Sequence, residues 1–149
     1  MSEIQLTQLV AAVDTNVPSG SLIIDPAGNT VTFYKYKGTL ASADLLEITP
    51  ESIRRKFKYS ASRGSTLALK LQVDTDLSEI LQPDVLPNEA FNKERLTDEI
   101  LDGFKDHPHD HMVVQDKYRL VFIIENEEIP PVLQQYVDSG DLKIIRVAP

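Results

Sequence analysis

The segment YRLVFIIENEEIPPVLQQYVDSGDLKIIRV, residues 118–147, decides the expected fold. Its first part, 118–124, is almost continuously apolar, which is typical of a strand that is covered on both faces. A helix is predicted from the proline pair at 130–131 to Gly140, because proline favours the first helical turn and glycine favours the C-terminal cap. LKIIRV at 142–147 is a second strand. The short connection contains one helix, so we expect two neighbouring parallel strands joined by a right-handed crossover.

The rest of the chain alternates between strand and helix patterns. Strands are predicted at 21–25, 30–37 and 65–73, and helices at 3–14, 40–47, 50–60, 76–82 and 88–105. The turn PAGN at 26–29 predicts an antiparallel hairpin between the first two strands. We therefore expect an α+β protein with a single domain over residues 1–149. Its mixed sheet would have about five strands, with helices mainly on one face and a C-terminal βαβ unit.

The composition excludes several classes of chemistry. The chain of 149 residues has no cysteine, which excludes disulfides, cysteine-bound zinc, iron–sulfur clusters and thiol nucleophiles. Neither a glycine-rich phosphate loop nor a G-x-S-x-G nucleophile motif is present. No basic leader and no long apolar run occurs, so we expect a soluble, cytoplasmic protein without membrane contact. We expect no cofactor, and the sequence favours a function without catalysis.

The charge is distributed unevenly along the chain. Residues 1–70 hold eight basic side chains against six acidic ones, a net of +2, whereas residues 71–149 hold seven against seventeen, a net of −10. Segregated charge is useful mainly for selecting a partner. We therefore expect an interaction or inhibitory module that binds a basic protein, such as a nuclease or nucleic-acid-binding protein, through the predicted helix 88–105. The side chains offered to the partner would be Glu94, Asp98, Asp102 and Asp106.

The basic residues at the end of the predicted helix 50–60 support a second hypothesis. Cations next to aromatic side chains can contact phosphates while the rings stack on bases. A nucleic-acid binder would use Arg54, Arg55, Lys56, Lys58 and Arg63. The structural alternative is that these residues occupy solvated helical turns, where cations interact favourably with the negative end of the helix dipole.

The three histidines of the chain support a third hypothesis, a metal-dependent enzyme. His107, His109 and His111 alternate in sequence, and alternate residues of an extended segment point the same way. Three imidazoles could then meet one zinc ion, with Asp110 as a ligand or as a residue that orients a ligand. The structural alternative is a solvated loop beyond a helix C-terminus, where imidazolium is favoured by the dipole.

Overall fold

The structure, a computed structural model, describes residues 4–37, 40–42, 47–72, 75–104, 106 and 112–148. The described residues form five strands, β1 (Gly20–Ile24), β2 (Leu40–Ser42), β3 (Thr66–Lys70), β4 (Arg119–Ile124) and β5 (Leu142–Arg146). They also form five α-helices, α1 (Leu9–Asn16), α2 (Asn29–Tyr36), α3 (Pro50–Arg63), α4 (Asp98–Asp102) and α5 (Pro131–Ser139). Short 3-10 turns lie at Leu6–Gln8 and Asn88–Phe91.

The strands form one sheet in the order β2-β3-β4-β1-β5, and every pairing is parallel. The α+β class and the five strands are confirmed, but the expected mixed sheet is wrong. The C-terminal strand–helix–strand unit is present, and its helix ends at Gly140, which has a φ of 86°. Because β1 lies between β4 and β5, the expectation that these two strands are neighbours is also wrong.

The predicted hairpin at 21–37 is wrong because its second half is helical. TVTFYKYK is rich in β-branched and aromatic residues, yet it forms most of α2. The carboxylate of Asp25 accepts hydrogen bonds from the backbone N–H groups of Ala27 and Thr30 and so provides the acceptor that a helix start requires. Thr30 and Tyr34, four residues apart, then face the core. Tertiary contacts therefore override the local β-propensity.

Helices cover both faces of the sheet, so the expected packing mainly on one face is corrected. Helices α1 and α2 pack on one face, and α3, α4 and α5 pack on the other. The direction of the crossovers explains this division. From β1 the chain crosses over α2 to β2 at the far edge, and from β2 it returns across the sheet to β5. Right-handed crossovers that move in opposite directions must run over opposite faces.

The predicted helices at 76–82 and 88–105 are replaced by turns, a 3-10 turn and the short α4. The Asn92 side chain accepts the backbone N–H two residues later, and the Lys93 N–H donates to a loop carbonyl next to β1. Both bonds compete with the helical pattern. A new helix begins only after Thr97, whose hydroxyl oxygen accepts an N–H of the first turn of α4 at 3.2 Å.

The two helices predicted between residues 40 and 60 have different outcomes. The predicted helix at 40–47 is wrong at its start, because Leu40–Ser42 pairs with β3 as an edge strand, and residues 43–46 lie outside the described part. The helix predicted from residue 50 is confirmed. Thr49 caps it with a 3.2 Å bond from the N–H of Ser52, and the helix continues to Arg63.

Candidate functional site

The chain leaves the carboxyl ends of two neighbouring strands, β1 and β4, in opposite directions. From β1 it crosses through α2 to β2, and from β4 it crosses through α5 to β5 on the other side of β1. The two crossovers run over opposite faces, because α2 and α5 belong to different core clusters. In parallel α/β sheets, ligands bind in the crevice outside the strand ends at such a switch point. This edge is therefore the expected ligand position of the fold.

At the carboxyl ends of four strands, the last strand residue or the next one is polar and lies on the face of the sheet that α2 covers. Alternation along each strand places the residue on the same face as an apolar residue two positions earlier, as with Ile23 and Asp25. The four are Ser42, Lys70, Glu125 and Asp25, at the ends of β2, β3, β4 and β1, and we call them the polar row. Each is the first polar residue after an apolar run, but the predicted hairpin placed Asp25 in a strand and the predicted helix at 40–47 included Ser42.

The Asp25 carboxylate fills the N-terminal end of α2. This side chain is fully buried, and its two oxygens accept the N–H groups of Ala27 at 3.2 Å and Thr30 at 2.6 Å. Its backbone carbonyl accepts the N–H of Gly28 at 3.1 Å. Free N–H groups at a helix N-terminus attract phosphates and other anions. Here the chain supplies its own anion, so an incoming phosphate would meet a carboxylate.

Glu125 lies on the β4 side of the switch point. Its Oε1 forms an ion pair with Lys70 Nζ at 3.5 Å, and its other carboxylate oxygen lies against the loop before α2. A Cβ atom on Gly28 would approach that oxygen to 2.6 Å, and Gly28 has a φ of 78°, which favours glycine. The last member of the row, Ser42, is only 3% exposed and so has little access to a substrate. Within the row, Asp25 therefore joins the start of α2 to the end of β1, and Glu125 joins the ends of β4 and β3 through Lys70.

Two polar side chains of α2 are buried near the polar row. Thr30 is fully buried, and its hydroxyl has no hydrogen-bond partner among the described residues. Tyr34 is also buried, and burial together with the negative charge of Asp14 raises the pKa of its phenol to about 12. Tyr34 is therefore neutral at ordinary pH, and the charges at this edge belong to the polar row.

The four acidic residues predicted to contact a partner fall in three environments. Glu94 is exposed in the turn before α4, and Asp98 and Asp102 are exposed on α4 itself. Asp98 Oδ1 accepts the backbone N–H of Val114 at 2.8 Å, so this carboxylate also holds a neighbouring loop. Asp106 instead accepts Lys58 Nζ at 2.7 Å. The predicted acidic surface and the predicted basic segment therefore touch at Asp106.

The five residues of the basic segment lie on two flanks of α3. Arg54 and Lys58, four residues apart, face Asp106, and the Arg54 guanidinium also donates to the Phe104 carbonyl at 3.3 Å. The other three are Arg55, Lys56 and Arg63. Within the described part of the chain, none of these three forms an ion pair. The structure thus separates two cations that bind the rest of the fold from three without an ion pair, of which Arg55 and Arg63 are exposed and Lys56 is half-buried.

Two residues extend the solvent-facing cations into a larger surface. Tyr59 is 55% exposed, and the Arg63 guanidinium carbon lies 5.0 Å from the centre of its ring. Lys117, which the sequence did not single out, is exposed beside the C-terminal end of α3. Its Cβ would lie 3.4 Å from a Cβ placed on Gly64. We call Arg55, Lys56, Tyr59, Arg63 and Lys117 the cationic face of α3.

The predicted metal site cannot be placed against this geometry, because His107, His109 and His111 lie outside the described residues. Within the described ranges, no group of three or more histidine, aspartate or glutamate side chains is arranged to hold a metal ion. The part of the chain that the structure describes also contains no helix that is both long and apolar enough to cross a membrane.

Comparison with known proteins gives no family assignment: no protein-family model matches the sequence, and no curated protein matches it either. The fold and the site therefore define only a class, an all-parallel sheet with helices on both faces and a self-occupied switch point. Any function must be argued from the side chains themselves.

Proposed function

We propose that the protein is a non-catalytic interaction module that binds a basic protein partner through exposed carboxylates around α4. The observation that supports this proposal is the self-occupied switch point. In this fold a small ligand would bind outside β1 and β4, where Asp25 already caps α2 and Glu125 pairs with Lys70. With that crevice taken by the chain's own side chains, recognition is better supported on the outer surface.

The proposed binding surface consists of four exposed carboxylates. Glu94, Asp98, Glu99 and Asp102 lie in the turn before α4 and on α4, and we call them the acidic face. Asp106 is left out, because Lys58 and Arg54 already neutralise it. Complementary potential on a basic partner would accelerate encounter and favour one orientation. An inhibitor of a nuclease or of another nucleic-acid-binding protein would have such a surface.

The proposed partner is a cytoplasmic protein. The chain has no cysteine, which is compatible with a reducing compartment. The experiment is a pull-down from the native cell that compares the wild type with the double variant Glu94→Lys, Glu99→Lys. Both side chains are exposed and neither forms a hydrogen bond or ion pair among the described residues, so both replacements should preserve the fold. The matched control is Asp84→Lys, Glu128→Lys, which makes the same charge change at two other exposed positions.

We expect a basic protein to be retained by the wild type and by the control, and to be lost from the acidic-face variant. Loss should be accompanied by a slower association rate, because like charges now oppose the encounter. An identical set of captured proteins from all three baits would contradict the proposal. Equal loss from both variants would show that net charge matters and that the acidic face does not.

A further inference from the structure

The outer side of α3 is built differently from its inner side. Ile53 and Phe57 are buried against the sheet, whereas Arg55, Tyr59 and Arg63 recur at every fourth residue and are all exposed. Residues spaced by four lie above one another on a helix. The exposed side is therefore a continuous line of two guanidinium groups with an aromatic ring between them.

The charges along this line are available to a ligand. Within the described residues, no carboxylate lies within ion-pair distance of Arg55, Lys56, Arg63 or Lys117. Glu51, one turn before Arg55, is exposed and contributes one negative charge at the start of the line. The C-terminal end of the helix contributes about half a negative charge. Four cations outweigh both contributions.

The aromatic ring distinguishes this surface from an ordinary solvated basic patch. Tyr59 is one of few large apolar side chains that the described structure leaves more than 40% exposed. The guanidinium of Arg63 lies 5.0 Å from the centre of its ring. An exposed ring beside a planar guanidinium provides a platform on which a nucleobase can stack. Cations on either side of the platform can then contact the phosphates that precede and follow that base.

We propose that the cationic face of α3 binds single-stranded nucleic acid, with one base stacked on Tyr59 and neighbouring phosphates on the four cations of that face. An acidic protein segment would use the same cations but would gain nothing specific from the ring, so the exposed Tyr59 favours the nucleic acid. The proposal is independent of the acidic face around α4, and either proposal can fail without the other. Arg54 and Lys58 take no part, because both pair with Asp106 and Arg54 also donates to the Phe104 carbonyl.

The test is fluorescence anisotropy with labelled oligodeoxythymidine of about 12 nucleotides, a length within the range that one single-strand binding domain covers. Four phosphate contacts predict that affinity falls about 50-fold between about 50 and 200 mM salt. The triple variant Arg55→Gln, Arg63→Gln, Lys117→Gln should bind weakly and lose only two- to threefold over the same range. The matched control Lys35→Gln, Lys37→Gln, Lys143→Gln removes three exposed cations elsewhere and should bind like the wild type.

The stacking step is tested separately at Tyr59. Tyr59→Ala should weaken binding about 5- to 150-fold, whereas Tyr59→Phe keeps the ring and should bind within about twofold of the wild type. Circular dichroism confirms that each variant is folded. Undetectable binding by the wild type, or equal weakening in the two triple variants, would overturn the proposal. Equal affinity for a poly-glutamate peptide of the same charge, or no effect of Tyr59→Ala, would assign the surface to an acidic protein instead.

Discussion

Replacing Asp25 with alanine is expected to lower the free energy of unfolding by about 2–4 kcal/mol. The carboxylate is fully buried, and it accepts the N–H groups of Ala27 and Thr30. The Thr30 N–H is itself buried, so losing its acceptor costs about 1–3 kcal/mol. Ala27 is exposed and water can replace its bond, which limits that loss to about 1 kcal/mol.

The assay is urea unfolding followed by far-ultraviolet circular dichroism. With a slope of about 2 kcal/mol per M, the expected loss moves the midpoint down by about 1–2 M. Asp25→Asn is the matched control. Its side-chain oxygen can still accept one of the two N–H groups, so its midpoint should fall between those of the wild type and Asp25→Ala.

A midpoint for Asp25→Ala within about 0.3 M of the wild type would refute the reasoning. The carboxylate would then contribute little to α2, and the switch point could not be described as filled by a structural cap. The proposal of a surface-binding module would lose its main support, because the crevice at the ends of β1 and β4 would again be open to a ligand.

Three further predictions concern single side chains. Gly28→Ala is expected to lower the free energy of unfolding by about 1–3 kcal/mol, because alanine is strained at a φ of 78° and its Cβ would approach the Glu125 carboxylate. In urea unfolding, Gly28→Ala should cost less when Glu125 is also replaced by alanine, because the steric contact is then absent. Burial raises the pKa of Tyr34 from 10.0 to about 12, so the neutral phenol contributes fully to the free energy of unfolding below pH 10, and this contribution is lost as the pH rises toward 12. In urea unfolding at about pH 11, the wild type should therefore lose about 1.4 kcal/mol more than Tyr34→Phe, relative to neutral pH. Asp106→Asn should change stability by less than about 1 kcal/mol, because its contact with Lys58 is an exposed ion pair; a midpoint shift above that size would contradict this assignment.

Elements with strong local signals were predictable from the sequence. The helix α3 begins at a threonine–proline pair and α5 ends at a glycine with a positive φ, and both signals depend only on residues next to the helix end. The strand β3 was predictable because its apolar residues alternate with the period of a strand, and β4 because its apolar run is nearly continuous. In each case the local pattern and the tertiary environment favour the same structure.

The second half of the predicted hairpin was not predictable in the same way. PAGN between two β-rich segments has the composition of a hairpin turn, and nothing local distinguishes that turn from a helix start. The bonds from Ala27 and Thr30 to the Asp25 carboxylate span only two and five residues, but the composition of the segment does not show that this carboxylate is buried. The position of β1 between β4 and β5 was equally hidden, because pairing between distant strands leaves no local pattern in a single sequence.

The candidate surfaces were predictable in composition but not in arrangement. Counting charges identifies α3 as basic and the region around α4 as acidic, yet it cannot show that Asp106 lies within 2.7 Å of Lys58. Lys117 joins the cationic face only because the loop before β4 runs beside the end of α3. A helical projection of α3 would have separated Arg54 and Lys58 from Arg55 and Arg63, because the two pairs lie on different sides of the helix.

The meeting of opposite charges at Asp106 limits how the two surfaces can be used. A basic partner that captured Asp106 would first have to displace Lys58, and breaking such an exposed pair costs up to about 1 kcal/mol, or about fivefold in affinity. Carboxylates of the acidic face carry no such cost where they form no ion pair among the described residues, as at Glu94, whose neighbours Lys93 and Arg95 pair with other carboxylates. A basic partner should therefore depend more on Glu94 than on Asp106, although the sequence presents the two carboxylates as equivalent.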